Sequence, residues 1–300
     1  MSVSRPDPTR APAKPPSSTL IEGIERVDLR VQDVDRALSF YRDVAGLHVI
    51  EHLPTKATLG ASGGPALLAL DSEDVDAPAD RTSTGLYHTA FRYPDRPALG
   101  DALARLARAD YEIGVGDHGV SEALYVDDPD GYGVELYRDR PRDQWPAPRP
   151  GERVHMGTGP IDLQDLLADG NTPGDAHTTA PGGTDVGHVH LQVSDLDETI
   201  DFYSGAMGLD LMMALGNQAG FFSSHGYHHH VGANTWHSRG RGPAPRTRAG
   251  LERVILRASS VTELRGLEDR MSSRGHDVSG DDNELILHDP DGIEIHLITV

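Results

Sequence analysis

Histidine is the residue through which this chain could bind a metal ion. The sequence has sixteen histidines and no cysteine, so any metal would have to be held by His, Asp or Glu. Imidazole and carboxylate groups together suit iron, manganese and zinc. The histidines are unevenly spread, and the densest group is His228, His229 and His230. We therefore examine which segments could bring such side chains together.

Two sequence motifs occur twice, once in each half of the chain. Residues 31–41 (VQDVDRALSFY) match residues 193–203 (VSDLDETIDFY), and an Asp-Pro-Asp-Gly segment at 128–131 returns at 289–292. The two motifs of each half are too far apart for one small unit, which indicates a repeat within a repeat. We predict four modules, at residues 22–72, 84–140, 184–238 and 249–300.

Each module is expected to contain a strand, a helix and three shorter strands. In the first module a period-2 strand ending at Val31 precedes a helix that Asp33 caps and Gly46 ends. The Asp-Pro-Asp-Gly segments are tight turns that lead into the last strand of the second and fourth modules. The fold class is therefore α+β, built from four βαβββ modules.

The modules imply a division of the chain into four segments. Residues 1–19 are rich in proline and alanine and predict a disordered leader without the apolar core of a secretory signal. Residues 20–140 form a first domain and residues 184–300 a second one. Residues 141–183, rich in proline, glycine and threonine, connect the two domains.

Charge and hydropathy exclude several classes of partner. The net charge is −20, which argues against nucleic acid or an anionic membrane surface, because both need a basic patch. No apolar run approaches the ~18–20 residues that cross a bilayer. We expect a cytoplasmic protein that acts on a small molecule.

Four βαβββ modules with histidine in a first strand and glutamate in a last strand resemble the vicinal-oxygen-chelate superfamily. In that superfamily, paired modules form two half-open mixed-sheet barrels, as in glyoxalase I and the extradiol dioxygenases. A more specific match is Gly116-Asp117-His118, five residues, Leu124-Tyr125, two residues, Asp128-Pro-Asp-Gly131, three residues and Glu135. This spacing is similar to the pattern of extradiol, catechol 2,3-type dioxygenases. Residues 226–236 (GYHHHVGANTW) resemble segments of their two-domain bacterial members.

The resemblance implies a metal held by two histidines and one glutamate, which leaves three coordination positions open. At the first-strand ligand position the four modules carry Arg26, His88, His188 and Arg253. An arginine stays protonated and cannot be a ligand. Glu135 occupies the carboxylate position after the turn. We therefore expect His88, His188 and Glu135 around one ion, which requires the second and third modules to pair.

A different pairing would give a different ligand set. If the third and fourth modules paired, the ligands would be His188, His230 and Glu294. By the same resemblance, an acid/base histidine lies among residues 228–230. Alternation along a strand places His229 opposite the other two, and the small residue Gly232 favours His229, with His230 as the second choice.

The remaining site residues also come from the resemblance. His118 and Tyr125 match a histidine and a tyrosine that would hydrogen-bond an oxygen atom of the substrate or of dioxygen. Trp236, near the histidine group, is expected in the core.

The implied activity is the opening of a catechol-type aromatic diol by dioxygen at Fe(II), with Mn(II) as the alternative metal. A homo-oligomer is expected by analogy. Two other functions remain open on the same scaffold. A glyoxalase-type isomerase would favour two glutamate ligands, and a metal-free small-molecule-binding protein would lack the ligand set.

Overall fold

A computed structural model describes residues 17–170 and 179–299 of the chain. Most of the predicted leader, residues 1–16, lies outside this part. Within the described residues, no helix combines the length and the apolar character that a membrane crossing requires.

The first two modules follow the expected order of elements. The first contains β1 (Ile21–Arg30), α1 (Val34–Asp43), β2 (His48–His52), β3 (Lys56–Gly60) and β4 (Ala66–Asp71). The second contains β5 (Gly85–Tyr93), α2 (Arg96–Arg108), β6 (Gly114–Asp117), β7 (Ser121–Asp127) and β8 (Gly133–Asp139). The connection to the third module carries a short 3₁₀ turn (Arg142–Gln144) and α3 (Leu163–Asp169).

The last two modules repeat this order. The third contains β9 (Asp185–Gln192), α4 (Leu196–Ile200), β10 (Asp210–Leu215), β11 (Ala219–Ser223) and β12 (Val231–Asn234). The fourth contains β13 (Gly250–Ala258), α5 (Val261–Ser273), β14 (Ser279–Gly280), β15 (Glu284–His288) and β16 (Glu294–Ile298). In the third module the helix continues as a π turn over Asp201–Ala206, a feature that the sequence pattern did not predict.

Side-chain caps explain where the helices begin. Asp33 accepts a hydrogen bond from the backbone N–H of Arg36, and Asp195 accepts from those of Asp197 and Glu198. Such caps satisfy backbone donors that have no partner inside the helix. The apolar stripes of the helices pack with alternate strand residues in one extended core. The α+β fold of four βαβββ modules is confirmed.

Modules pair across the chain, the outer two with each other and the inner two with each other. β1 of the first module runs antiparallel to β13 of the fourth, and β5 of the second runs antiparallel to β9 of the third. A single pairing, Ile24 with Val186, joins the two halves into one sheet. The predicted pairing of the second and third modules is therefore confirmed. The domain bounds 20–140 and 184–300 stay a prediction.

Candidate metal centre

Three neighbouring strands of the inner pair of modules carry the predicted ligands. β5 lies between β8 and β9, and Ala90 of β5 pairs with Glu135 on one side and with His188 on the other. His88 precedes Ala90 by two residues, so it points to the same face of the sheet. Strand register and alternation thus direct the side chains of His88, Glu135 and His188 to one place. Ala90 lies on the same face but contributes only a methyl group.

The ligand atoms of these residues converge. Nε2 of His88 and Nε2 of His188 each lie 3.1 Å from Oε2 of Glu135, and the two nitrogens are 3.3 Å apart. All three side chains are buried. Among the described residues, no other set of three His, Asp or Glu side chains is arranged so that it could hold a metal ion.

These separations fit one face of an octahedral metal site. Three mutually adjacent ligand atoms at about 2.1 Å from an ion lie about 3.0 Å from each other. Two imidazoles and one carboxylate in this arrangement suit a divalent transition metal and leave the opposite face for other ligands. The residues present therefore fit the metal that the sequence pattern implies.

The electrostatics favour the charge state that a cation needs. Burial opposes ionisation of Glu135, but its contacts with His188 and His88 outweigh burial and hold its pKa well below the ordinary value. Burial lowers the pKa of His188 to about 4, against the opposing effect of Glu135. A neutral imidazole beside an ionised carboxylate is the form that binds metal without first losing a proton.

The three residues lie in a cavity of about 970 Å³. Part of the cavity wall is apolar and aromatic. It is formed by Tyr87, Met156, Met213, Leu215, Phe221 and Trp236. A cavity of this size, with a few polar groups at one point, can accept a small aromatic ligand.

His118 and Tyr125 form a hydrogen-bonded pair at the cavity. Nδ1 of His118 lies 2.7 Å from the carbonyl oxygen of Gly157, and because a carbonyl can only accept, Nδ1 carries the hydrogen. In the neutral ring, Nε2 of His118 then accepts from the hydroxyl of Tyr125 at 2.8 Å. Burial and the nearby Glu135 raise the pKa of Tyr125 well above its ordinary value, so the phenol keeps its proton. A Cβ at Gly116 would stand 3.0 Å from the His118 ring, which explains glycine there.

The structure separates the three neighbouring histidines. His229 lines the cavity and packs on His188, with the ring centroids 4.1 Å apart. His230 instead hydrogen-bonds Ser223 through Nδ1 at 2.9 Å and does not line the cavity, and its catalytic role stays a prediction. The expected separation of His229 from the other two histidines agrees with this arrangement. Residues 228–230 precede β12 and are not part of a regular strand, and Nδ1 of His228 contacts Nδ1 of His229 at 2.8 Å.

Two cavity residues were not assigned from the sequence. His190 follows His188 by two residues and shares its strand face, and its buried ring packs between Tyr87 and Trp236. Trp236 was expected in the core but is 43% exposed and forms part of the cavity wall. The period-2 spacing from His188 indicates His190 as a lining residue, although it was not among the assigned site residues. Nothing in the local pattern distinguishes a wall tryptophan from a core one.

The outer pair of modules has ion pairs in place of a ligand set. Arg253 lies 3.4 Å from both Asp28 and Glu294, and Glu294 also bonds His296 at 2.8 Å. The alternative set of His188, His230 and Glu294 is not brought together, because Glu294 belongs to this outer half of the sheet.

The four-module fold and its candidate metal site agree with one known protein superfamily. A family model described as the Glyoxalase/Bleomycin resistance protein/Dioxygenase superfamily matches residues 23–136 and 185–297. The chain belongs to this superfamily, as the sequence motifs indicated.

Three individual proteins are similar to this chain in sequence or in fold. A catechol-2,3-dioxygenase from Bacillus subtilis (strain 168) is 40% identical over 268 residues, which cover 87% of this chain and 92% of the relative. A solved structure of a Bacillus subtilis protein proposed as a dioxygenase has a TM-score of 0.60 at 15% identity and covers 95% of this chain and 86% of its own. Glyoxalase I from Zea mays has a TM-score of 0.53 at 18% identity, with 92% of each chain covered. At these identities the two structures show a shared fold.

Proposed function

We propose that this protein is an extradiol dioxygenase, which opens a catechol-type aromatic diol with dioxygen at an Fe(II) ion held by His88, His188 and Glu135. The observation that carries the proposal is a buried two-histidine, one-carboxylate face that opens into a cavity also lined by His118, Tyr125 and His229. The 40% identity to a catechol-2,3-dioxygenase over most of both chains supports the same activity.

Fe(II) held by His88, His188 and Glu135 would supply Lewis-acid chemistry that lowers the pKa of the diol hydroxyls and redox chemistry for dioxygen. His229 lies beside His188 at the cavity wall, where its ring can accept a proton from the second hydroxyl of the diol. Tyr125 donates its hydrogen to His118, and its oxygen still accepts a hydrogen bond from a substrate hydroxyl. The apolar wall seats the ring and excludes water.

The number of carboxylates separates this proposal from an isomerase. A glyoxalase-type centre would favour two glutamate ligands, whereas Glu135 is the one carboxylate in the group of possible ligands among the described residues. A dioxygenase needs the three open positions that this smaller ligand set leaves.

The test is oxygen-dependent ring cleavage. Metal-free protein is loaded with Fe(II) under anaerobic conditions, mixed with catechol and exposed to air. We expect oxygen consumption and a yellow muconic semialdehyde, with parallel Mn(II) loading to establish the metal. An Fe(II)-loaded protein that consumes no oxygen, or that cleaves the ring between the two hydroxyls, would refute the proposal.

A further inference from the structure

A chain of hydrogen bonds runs from the end of β8 to the cavity wall. Oδ1 of Asp139 lies 2.8 Å from Nε2 of His228, and Nδ1 of His228 lies 2.8 Å from Nδ1 of His229. His228 is fully buried and reaches the cavity only through His229. The chain therefore ends on the one histidine of the 228–230 group that faces the cavity.

When both imidazoles are neutral, the carboxylate fixes the position of every hydrogen in this chain. An ionised carboxylate can only accept, so Nε2 of His228 carries a hydrogen. In a neutral imidazole the other nitrogen is then an acceptor. Nδ1 of His228 must therefore accept a hydrogen bond from the N–H at Nδ1 of His229. Nε2 of His229 is left without a hydrogen, and it is the nitrogen not engaged by His228.

The surroundings of Asp139 favour its ionised form. Asp139 is already paired with Arg92, whose Nη1 lies 3.1 Å from Oδ2, and Tyr227 donates its hydroxyl to Oδ1 at 3.2 Å. The pKa of Asp139 is lowered because the bonds and charges of His228 and Arg92 outweigh burial. An ionised Asp139 is an acceptor only, so the hydrogen in its contact with His228 belongs to Nε2 of the imidazole.

Packing holds the receiving ring in place. His229 lies between the ring of His188, 4.1 Å away between centroids, and the ring of Phe221, 5.0 Å away. A ring confined in this way cannot turn to exchange its two nitrogens without moving its neighbours. The hydrogen bond to His228 therefore sets both the orientation and the tautomer of His229.

We propose that Asp139 and His228 are positioning residues that hold His229 as the Nδ1–H tautomer, so that an unprotonated Nε2 faces the diol. The role towards the diol depends on the proposed dioxygenase activity. The tautomer itself does not, and it can be measured in protein without metal.

The direct test is nitrogen-15 NMR of histidine-labelled, metal-free protein at neutral pH. The signals of His229 are assigned by their loss in His229→Gln. We expect a hydrogen on Nδ1 of His229 and on Nε2 of His228. A wild-type His229 with its hydrogen on Nε2, or with both nitrogens protonated, would overturn the proposal whether or not the enzyme cleaves catechol.

Asp139→Asn should reverse the chain. The Arg92 guanidinium requires an acceptor, so the amide oxygen will take the place of Oδ2 and the amide NH₂ will face Nε2 of His228. His228 then carries its hydrogen on Nδ1, and His229 is forced to carry its own on Nε2. We expect this reversed tautomer by NMR and a kcat lower by about 10²–10⁴-fold with little change in KM, because proton acceptance is what is lost.

Asp185→Asn is the matched control. Asp185 is the second carboxylate on Arg92, so the charge change is the same, but it does not touch His228 or His229. We expect wild-type tautomers and kcat. If Asp139→Asn folds, keeps the wild-type tautomers and still loses activity, the residue acts in another way and the proposal fails. If the tautomers reverse and catechol is not a substrate even for wild-type protein, the positioning stands and the dioxygenase proposal fails.

Discussion

Nε2 of His88 and Nε2 of His188 lie 3.3 Å apart although 100 residues separate them in the chain. The contact exists because the second module pairs with the third through β5 and β9. Pairing of consecutive modules would have placed the two imidazoles in different halves of the sheet. The position of the metal centre therefore follows from which modules pair, and not from any single motif.

Loss of one ligand should abolish metal binding. Glu135→Gln keeps the shape of the side chain but removes the charge that balances a divalent cation, and we expect metal affinity to fall at least about 100-fold. Elemental analysis after dialysis against Fe(II) or Mn(II) measures the effect. Glu294→Gln is the matched control on β16 of the outer modules, and it should retain metal like the wild type. Equal metal loss in both variants would contradict the assignment.

Metal retention should extend to unusually acidic pH. Burial lowers the pKa of His188 to about 4, so protons compete for this ligand only as the pH approaches that value, and not near the ordinary histidine value of about 6.5. Metal content measured after equilibration across this range should stay constant down to about pH 5. Release of metal with a midpoint near the ordinary histidine value would contradict the prediction.

Trp236 should contribute to binding substrates that carry an apolar ring substituent. Its exposed indole faces the cavity together with Phe221 and Leu215. Removing about 55 Å² of apolar contact costs about 1.4 kcal/mol, or a tenfold rise in KM. For Trp236→Ala we expect that rise with phenyl-substituted catechol and little change with catechol itself. An equal rise for both substrates would indicate a general disturbance of the site.

The sequence predicted the modules, the helix caps and the ligand set, because these depend on local periodicity and on a repeated position. Arg26 and Arg253 occupy the ligand position in the first and fourth modules. Because an arginine cannot bind a metal ion, a complete ligand set required the second and third modules to pair. His229 was the first choice among the three histidines and is the one that lines the cavity. The contacts of His228 and His230 could not be predicted, since they depend on Asp139 and Ser223 in other strands. The π turn after Ile200 could not be predicted from the sequence either, because it keeps the apolar stripe of a normal helix.

The two Asp-Pro-Asp-Gly turns have the same internal structure. Oδ1 of Asp289 accepts from the backbone N–H groups of Asp291 and Ile293, each at 2.9 Å, and Oδ2 accepts from the hydroxyl of Tyr203. Burial, with the charge of Asp291, raises the pKa of Asp289 to about 7 in spite of these hydrogen bonds. The turn therefore places a carboxyl where it is costly to ionise.

This cost should make stability depend on pH. The folded protein keeps the proton of Asp289 up to about pH 7, whereas the unfolded chain loses it near about pH 4, so the contribution of this group to stability falls as the pH rises between these values. Asp289→Asn keeps the turn and removes the titration. The free energy of unfolding of the variant, relative to wild type, should therefore rise by up to about 1.4 kcal/mol per pH unit in that window. Urea unfolding at several pH values measures it, with Asp282→Asn as an exposed control on the same module. Parallel pH profiles for wild type and Asp289→Asn would show that Asp289 is ionised in the folded protein throughout.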